Sequence, residues 1–498
     1  MVEHTPQATA GRIVIVDSHL HTGSAHRRHE ITRLAEAQGA DVRLGDPQTR
    51  AKVVVRLRAG YEVCPGWLPP LLAELDQPGV RAVAPVLVGD EGTIVAAGHA
   101  DGGPWLEGLP LADADGVAGR SMPGLVGGCL VMRPDVEFGQ LRVVPAVAVR
   151  RHGSGPTPLR FTDPDAPMPP DPAGLVRTAD GWQRLRPVVT EGPPRLRWAI
   201  KNPAPLGPRG ERWGDTHFAR RLAAALHGLG QHVAIDHRPG FERESGGLDD
   251  VTLVLRGLVE YTPRPENLNV LWVISHPELV SSEECARFDL VYAASLPFAT
   301  AHGLRPLLQC TDPELFNPSR GVPDSGDGVL FVGNNRGAGR PIVHQAIEAG
   351  LPVRVFGARW EGVIDAAHIG GVSLPYDQLG GAYCNAGLVL GDHAPEMAAE
   401  GFISNRILDA AATGARTVSD PVVGLSELLP MVRIATNPED LKRLATHLDG
   451  AFPSAADRAA AATRIGLEHS FAARAEQLLA DVTALWQERR MRHDDRHV

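Results

Sequence analysis

Lysine is nearly missing from this 498-residue chain: only Lys52, Lys201 and Lys442 occur. Basic charge therefore rests on arginine, whose planar fork suits phosphate better than a point charge does. Cysteine is sparse as well. Cys64, Cys129, Cys285, Cys310 and Cys384 are scattered, odd in number and without a CxxC pair. That excludes a disulfide scaffold or a zinc ribbon and predicts reduced thiols in a cytoplasm, most of them buried as small hydrophobes. No run reaches the ~18 apolar residues of a membrane span. The polar opening MVEHTPQATAGR lacks a signal peptide's apolar core. There is no GxxxxGK[ST], GxSxG or HExxH. Neither GDEGT nor GNNRGAG completes GxGxxG, so dinucleotide binding is discounted. A formal charge of −10 argues against nucleic acid as the main partner. What remains is a multi-domain chain with 43% hydrophobic residues, enough for substantial cores.

The stretch Glu400 to Asp420, EGFISNRILDAAATGARTVSD, is the most informative. Ser404 and Asn405 suit a helix N-terminus. Ile407, Leu408, Ala411 and Ala412 form an apolar face, Gly414 stops the helix, and ARTVSD opens a strand. A helix start offers free N–H groups and partial positive charge, which suits phosphate. Asp409, one turn in, can reach a ribose hydroxyl.

Upstream, VLFVGNNRGAGRPIVHQAIEAGLPVRVFG reads as strand, Gly-rich turn, helix and strand, one parallel βαβ unit. Its turn brings Asn334, Arg336 and Arg340 to the strand C-termini, where open α/β sheets collect ligands. Tyr376 to Leu379, a helix with Tyr383 and the strand AGLVLGD ending at Asp392 follow.

Phe331, Gly333, Asn334, Arg340, Gly357, Trp360, Tyr383, Gly401, Phe402, Asn405, Arg406, Asp409, Gly414 and Asp420, in that order, resemble the C-terminal domain of GT-B glycosyltransferases. The likeness is to the group 1, GT4-like set that includes the CgeB-like proteins. It implies an α/β fold of twin Rossmann-like domains and transfer from a nucleotide-diphosphate sugar, with a retaining outcome and no metal or other cofactor. By that resemblance Gly333 and Asn334 approach the diphosphate, Arg340 and Arg336 neutralise the leaving group, and Asn405 and Arg406 sit at the helix start. Asp409 stands where the family often has Glu and binds the ribose. Glu396 or Glu400 holds sugar hydroxyls, although Glu400 to Asp409 is one residue longer than the family's Glu-x7-Glu spacing.

The N-terminal part, opening with RIVIVD and including PGWLPPLLAEL, GDEGTIVAAG and GLVGGCLVMRPD, resembles family 2, GT-A glycosyltransferases. Arg56 and Arg58 stand where that family places metal-binding aspartates, and the chain passes from Phe138 to Leu141 where a carboxylate-rich stretch is expected. Loss of the metal ligand and the general base implies a degenerate, non-catalytic module.

The expected organisation is a GT-A-like module at 1–152, a Pro-rich linker at 153–190, an acceptor-side GT-B domain at 191–312, a nucleotide-sugar domain at 313–470, and a C-terminal helix and tail at 471–498. That helix is expected to cross back onto the acceptor-side domain, and the tail RRMRHDDRHV to be disordered. His217, in the WGDTHF turn, and His276, after the strand NVLWVIS, are the acceptor-side candidates, with Asp215 in reserve. The leading expectation is a glycosyltransferase with an unidentified acceptor. A non-catalytic sugar- or partner-binding scaffold and a GT-B-fold nucleotide-sugar epimerase are the alternatives.

Overall fold

In the computed structural model, residues 1–60 are described only as three strands, at 13–17, 41–45 and 53–57. From 61 onward the description omits only 64–65, 101–102, 128, 134–139, 152–158, 163–165, 186, 188–191, 208, 323–324, 327, 338 and 495–498. Arg58 and Phe138 therefore lie outside the described residues, as does the side chain of Arg56. The chain forms two compact units. The first comprises 1–188, 196–210 and 232–250, and the second 189–195, 211–231 and 251–498.

The first unit is built on an eight-stranded mixed sheet whose long central strands are Val80–Val88 and Gln140–Arg151, paired in parallel. Alternating Val, Leu and Ala side chains bury both of its faces, and the helix Leu68–Leu75 covers one with Leu68, Leu71, Leu72 and Leu75. The Pro-rich stretch expected as a bare linker carries more structure than that. Leu159–Thr162 pairs with Gly124–Gly127, and Leu175–Thr178 forms a hairpin with Gly181–Arg184. The composition hid these strands because each is only four residues long.

Charge is buried in this unit. Arg197, on the strand Arg197–Asn202, pairs with Asp113 through two nitrogens at 3.0 Å each. His232 reaches the same carboxylate at 2.9 Å. Lys201 lies 2.8 Å from Asp236, which also accepts from Arg243 at 2.9 Å. Buried charges persist only when matched in this way.

The second unit contains a parallel run, Val251–Arg256 (β1), Leu268–Val273 (β2), Leu290–Ala293 (β3) and Arg305–Pro306 (β4), each beside the next. Every residue of β1 and β2 is buried, as expected of strands covered on both faces. A second parallel sheet holds Val329–Val332 (β5), Val353–Phe356 (β6), Ile369–Gly371 (β7), Leu388–Gly391 (β8), Thr417–Ser419 (β9) and Arg433–Ile434 (β10), in the order β7-β6-β5-β8-β9-β10. The order reverses between β5 and β8. Such a switch point opens a crevice beyond the strand C-termini.

The helices of this unit include Gly214–Gly228 (α1), Pro341–Glu348 (α2), Leu379–Asn385 (α3), Pro395–Ala399 (α4), Asn405–Ala412 (α5), Ala455–Glu468 (α6) and Phe471–Asp494 (α7). The βαβ pattern read from 329–357 is therefore present, and α5 starts and stops where its caps predict. Gly414 takes a φ of +75°, a left-handed stop that glycine adopts without penalty. The final helix α7 packs against α1, with Phe471 edge-on to Phe218 at 5.0 Å. Asp481 accepts from the Tyr292 hydroxyl at 2.5 Å. The tail expected to be disordered instead stays helical through Asp494, helped by a Glu488–Arg492 pair one turn apart and by Arg489 donating to the Asn267 carbonyl at 2.7 Å. No helix among the described residues is long and apolar enough to cross a membrane.

Candidate functional site

The site forms where β5 and β8 end side by side. After β5 the chain turns through Gly333 and Asn334, and Asn334 is pinned from two sides. Its side-chain Oδ1 accepts from the Ala358 N–H at 2.8 Å. Its carbonyl accepts from Nε and Nη2 of Arg340, at 3.0 and 2.8 Å. A side chain at Gly333 would displace the guanidinium of Arg406, so glycine lets that group sit close against the turn. The Trp360 indole N–H donates to the Gly333 carbonyl at 2.8 Å and fixes the turn from behind.

Arg340 caps the start of α2 and is 5% exposed. Its Nη1 meets Oδ1 of Asp392, just beyond β8, at 2.5 Å. Arg406, the second residue of α5, donates to the Val332 carbonyl at 2.7 Å and approaches the same Asp392 oxygen at 3.4 Å. Both guanidinium groups lie over the Phe331 ring, at 5.6 and 5.5 Å from its centre. Arg336 is exposed on the Gly-rich turn and makes no hydrogen bond among the described residues. Three arginines thus face one buried carboxylate, with the exposed Glu396 near Arg336. Burial pushes Arg340 down to about 10, and the like charges of Arg406 and Arg336 act the same way. Surplus positive charge of this kind favours an anion that brings two or more negative oxygens.

The start of α5 is held by side chains that the sequence did not flag as functional. His393 has its ring fully buried. Its Nδ1 lies 2.7 Å from Oδ1 of Asp420, its backbone N–H donates to Asp420 Oδ2 at 3.0 Å, and its Nε2 accepts from the Ser404 N–H at 2.7 Å. Asp392 was visible only as a strand end, and Asp420 only as the last residue of the motif, with no role attached.

Asp409 is 6% exposed. Its carboxylate oxygens accept from Thr311 Oγ1 at 2.7 Å and Asn405 Nδ2 at 3.0 Å. Burial raises its pKa to about 8, against the two hydrogen bonds and with the help of the neighbouring Asp312 charge. The Asn405 Oδ1 is buried and has no hydrogen-bond partner among the described residues, so an unused acceptor sits at the helix start.

Glu396 and Glu400 are both exposed, on and just after the short α4. The backbone carbonyl of Glu400 accepts from the Ser295 hydroxyl at 2.5 Å. The α4 helix packs against the turn 277–279, which brings His276 to the same rim. His276 adopts a φ of +53°, unusual for a residue with a side chain, and its Nδ1 is 2.9 Å from Glu278 Oε1. Burial raises the pKa of Asp215, and the charge of His276 only partly offsets it. His217 takes a different position. Its ring stacks on Tyr376 with centroids 4.1 Å apart and planes 3° from parallel, and its Nε2 is 3.1 Å from the Glu211 carbonyl. Among the described residues no group of three or more His, Cys, Asp or Glu side chains is arranged to hold a metal.

Residues 336–480 match a family described as glycosyl transferase-like, which covers α2 through the first part of α7 and most of the site's side chains. This supports a glycosyltransferase-type reading of the second unit. No curated protein matches the chain. Among solved structures, a glycosyltransferase involved in avilamycin A biosynthesis is similar at 16% identity with a TM-score of 0.41, covering 58% of this chain and 98% of that one. A sucrose-phosphate synthase from Thermosynechococcus elongatus is similar at 15% identity with a TM-score of 0.42, covering 59% and 100%. A putative UDP-N-acetylglucosamine 2-epimerase from Listeria monocytogenes is similar at 13% identity with a TM-score of 0.37, covering 59% and 97%.

Proposed function

We propose that the chain is a glycosyltransferase that takes a sugar from a nucleotide-diphosphate donor bound at the β5/β8 switch point. One observation carries this reading: Arg336, Arg340 and Arg406 converge on a Gly-lined turn and a helix N-terminus, with the buried Asp392 and the exposed Glu396 near them. Arg340 spends its three nitrogens on Asn334 and Asp392 and so stiffens the turn. Arg336, free on that turn, is the group that meets the diphosphate directly. Positive charge placed in advance of the reaction stabilises the departing diphosphate without needing to reorganise. Because guanidinium groups supply that charge, transfer proceeds without a divalent ion, and activity is expected to survive EDTA.

The unused Asn405 Oδ1 accepts a ribose hydroxyl, with Asp409 orienting the amide from below. Glu396, across from the turn that carries His276, holds hydroxyls of the transferred sugar. The outcome is retention of the anomeric configuration, by resemblance to the GT4-like set, and the N-terminal module is not a catalyst.

A melting screen with UDP-, GDP-, dTDP- and ADP-sugars tests the reading. A donor at about 100 times its Kd adds about 2.7 kcal/mol of stability and raises the melting temperature. Slow donor hydrolysis to free nucleoside diphosphate is the activity expected without an acceptor. Absence of both binding and hydrolysis with all four donors overturns the proposal.

A further inference from the structure

We infer that His393 is a positioning residue for the diphosphate site, closing the loop 393–404 at its base so that Arg406 and Glu396 are held against Arg340 and Arg336. The inference rests on the donor reading above. The imidazole joins the Ser404 backbone, 11 residues on, to the Asp420 side chain, 27 residues on. Nε2 accepts the Ser404 N–H, so that nitrogen carries no proton. The proton is therefore on Nδ1 and is donated to Asp420. A carboxylate can only accept here, and it selects this tautomer. Asp420 closes the clamp by accepting the His393 backbone N–H through its second oxygen.

The consequences reach the arginines through short covalent paths. Asp392, the residue before His393, is the carboxylate shared by Arg340 and Arg406. Asn405 and Arg406, the residues after Ser404, begin α5. Between the two clamped ends lies α4 with Glu396. One ring thus fixes the carboxylate that aligns the guanidinium groups and the helix start that delivers one of them. No side-chain cap bond from Ser404 does this work, and none is made.

The test compares nucleoside diphosphates with their monophosphates by titration calorimetry on the full chain. UDP, GDP, dTDP and ADP are tried first, and the tightest binder and its monophosphate become the probes. His393→Ala is expected to weaken the diphosphate about tenfold, the worth of a lost hydrogen bond, and the monophosphate much less. His393→Gln is expected to restore most of the diphosphate preference, because its amide oxygen reaches the place of Nε2 and accepts the Ser404 N–H. Asp420→Ala removes the tautomer lock at a part-exposed side chain and is expected to lower the preference in the same direction, so the test stands if His393→Ala does not fold. A purely structural histidine would weaken both nucleotides equally. An unchanged preference in folded His393→Ala, or in Asp420→Ala where the alanine variant does not fold, overturns the inference while leaving the donor reading intact. Failure of His393→Gln to recover the preference also overturns it. Absence of any diphosphate binding by the unaltered protein overturns both.

Discussion

Arg340 and Asp392 meet at 2.5 Å, 52 residues apart in sequence, and both are buried. The pair sets the turn from which Arg336 projects. Arg340→Ala removes three hydrogen bonds to Asn334 and Asp392 together and leaves the Asp392 carboxylate with the longer contact to Arg406. Turnover is expected to fall by about a hundredfold or more, the scale of removing preorganised charge stabilisation. Arg340→Lys keeps the charge but not the fork, and is expected to recover little. Donor hydrolysis by the purified variants measures this, and unchanged turnover in folded Arg340→Ala refutes the assignment.

Asp409 makes a pH prediction whose sign is fixed by its direction of shift. Its carboxyl is pushed up to about 8 by burial, well above the ~3.9 of an unfolded chain. The native state therefore keeps a proton that the unfolded state releases. Stability is expected to fall as pH rises from about 4 to about 8, and to level off above that. Asp409→Asn presets the neutral form. Its amide donates to Thr311 Oγ1 while its oxygen accepts from Asn405. The variant is expected to melt close to wild type at pH 5 and above it at pH 9, on the order of a few kcal/mol. Parallel melting curves across that range would refute the shift.

Much of this second unit was legible because its signals are local. The caps and apolar face of α5 sit within one stretch of sequence, so Asn405, Arg406 and Asp409 could be placed at a helix start. The Gly-rich turn likewise announced Gly333, Asn334, Arg336 and Arg340. The roles of Asp392, His393 and Asp420 were not legible, since each depends on which strand ends lie side by side, and sheet order is a tertiary fact. Asp409 shows the same limit from the other side: its position was read correctly, but its burial under Thr311 comes from a segment 98 residues away. In the first unit the short strands at 159–162 and 175–184 were masked by proline and aspartate around them.

His217 and Tyr376 lie ring on ring, which ties the first turn of α1 to the turn before α3. A double-mutant cycle with His217→Ala and Tyr376→Ala is expected to give a coupling of about 0.5–1.5 kcal/mol in thermal unfolding. His217→Phe keeps the stack and loses only the contact to the Glu211 carbonyl. It separates stacking from chemistry. Full stability with full turnover identifies His217 as a packing residue, whereas full stability with lost turnover gives its ring nitrogen a role in the reaction.

The N-terminal part is joined to the rest of the first unit by charge, and this predicts what truncation does. Arg197 is 2% exposed, and Asp113 supplies both of its 3.0 Å carboxylate contacts. A chain beginning at residue 195 keeps Arg197 and discards Asp113. Breaking a buried pair from one side costs about 3–5 kcal/mol, because the remaining charge is left without a partner. Such a truncation is expected to be far less stable than the full chain. The single substitution Asp113→Ala tests the pair within the whole protein and is expected to destabilise by a similar amount. Burial alone would raise the Asp113 carboxyl, but His232, 2.9 Å away, and the charge of Arg197 outweigh it and hold it below the usual range. Its stabilising contribution is therefore complete above the unfolded value of about 3.9 and lost only as pH falls below that, through the lower native value. Urea unfolding of wild type and Asp113→Ala at pH 7 and pH 3 measures both effects. The gap between the two proteins should be wide at pH 7 and narrower at pH 3, and an equal gap at both would show that the carboxylate's charge is not what holds Arg197 in place.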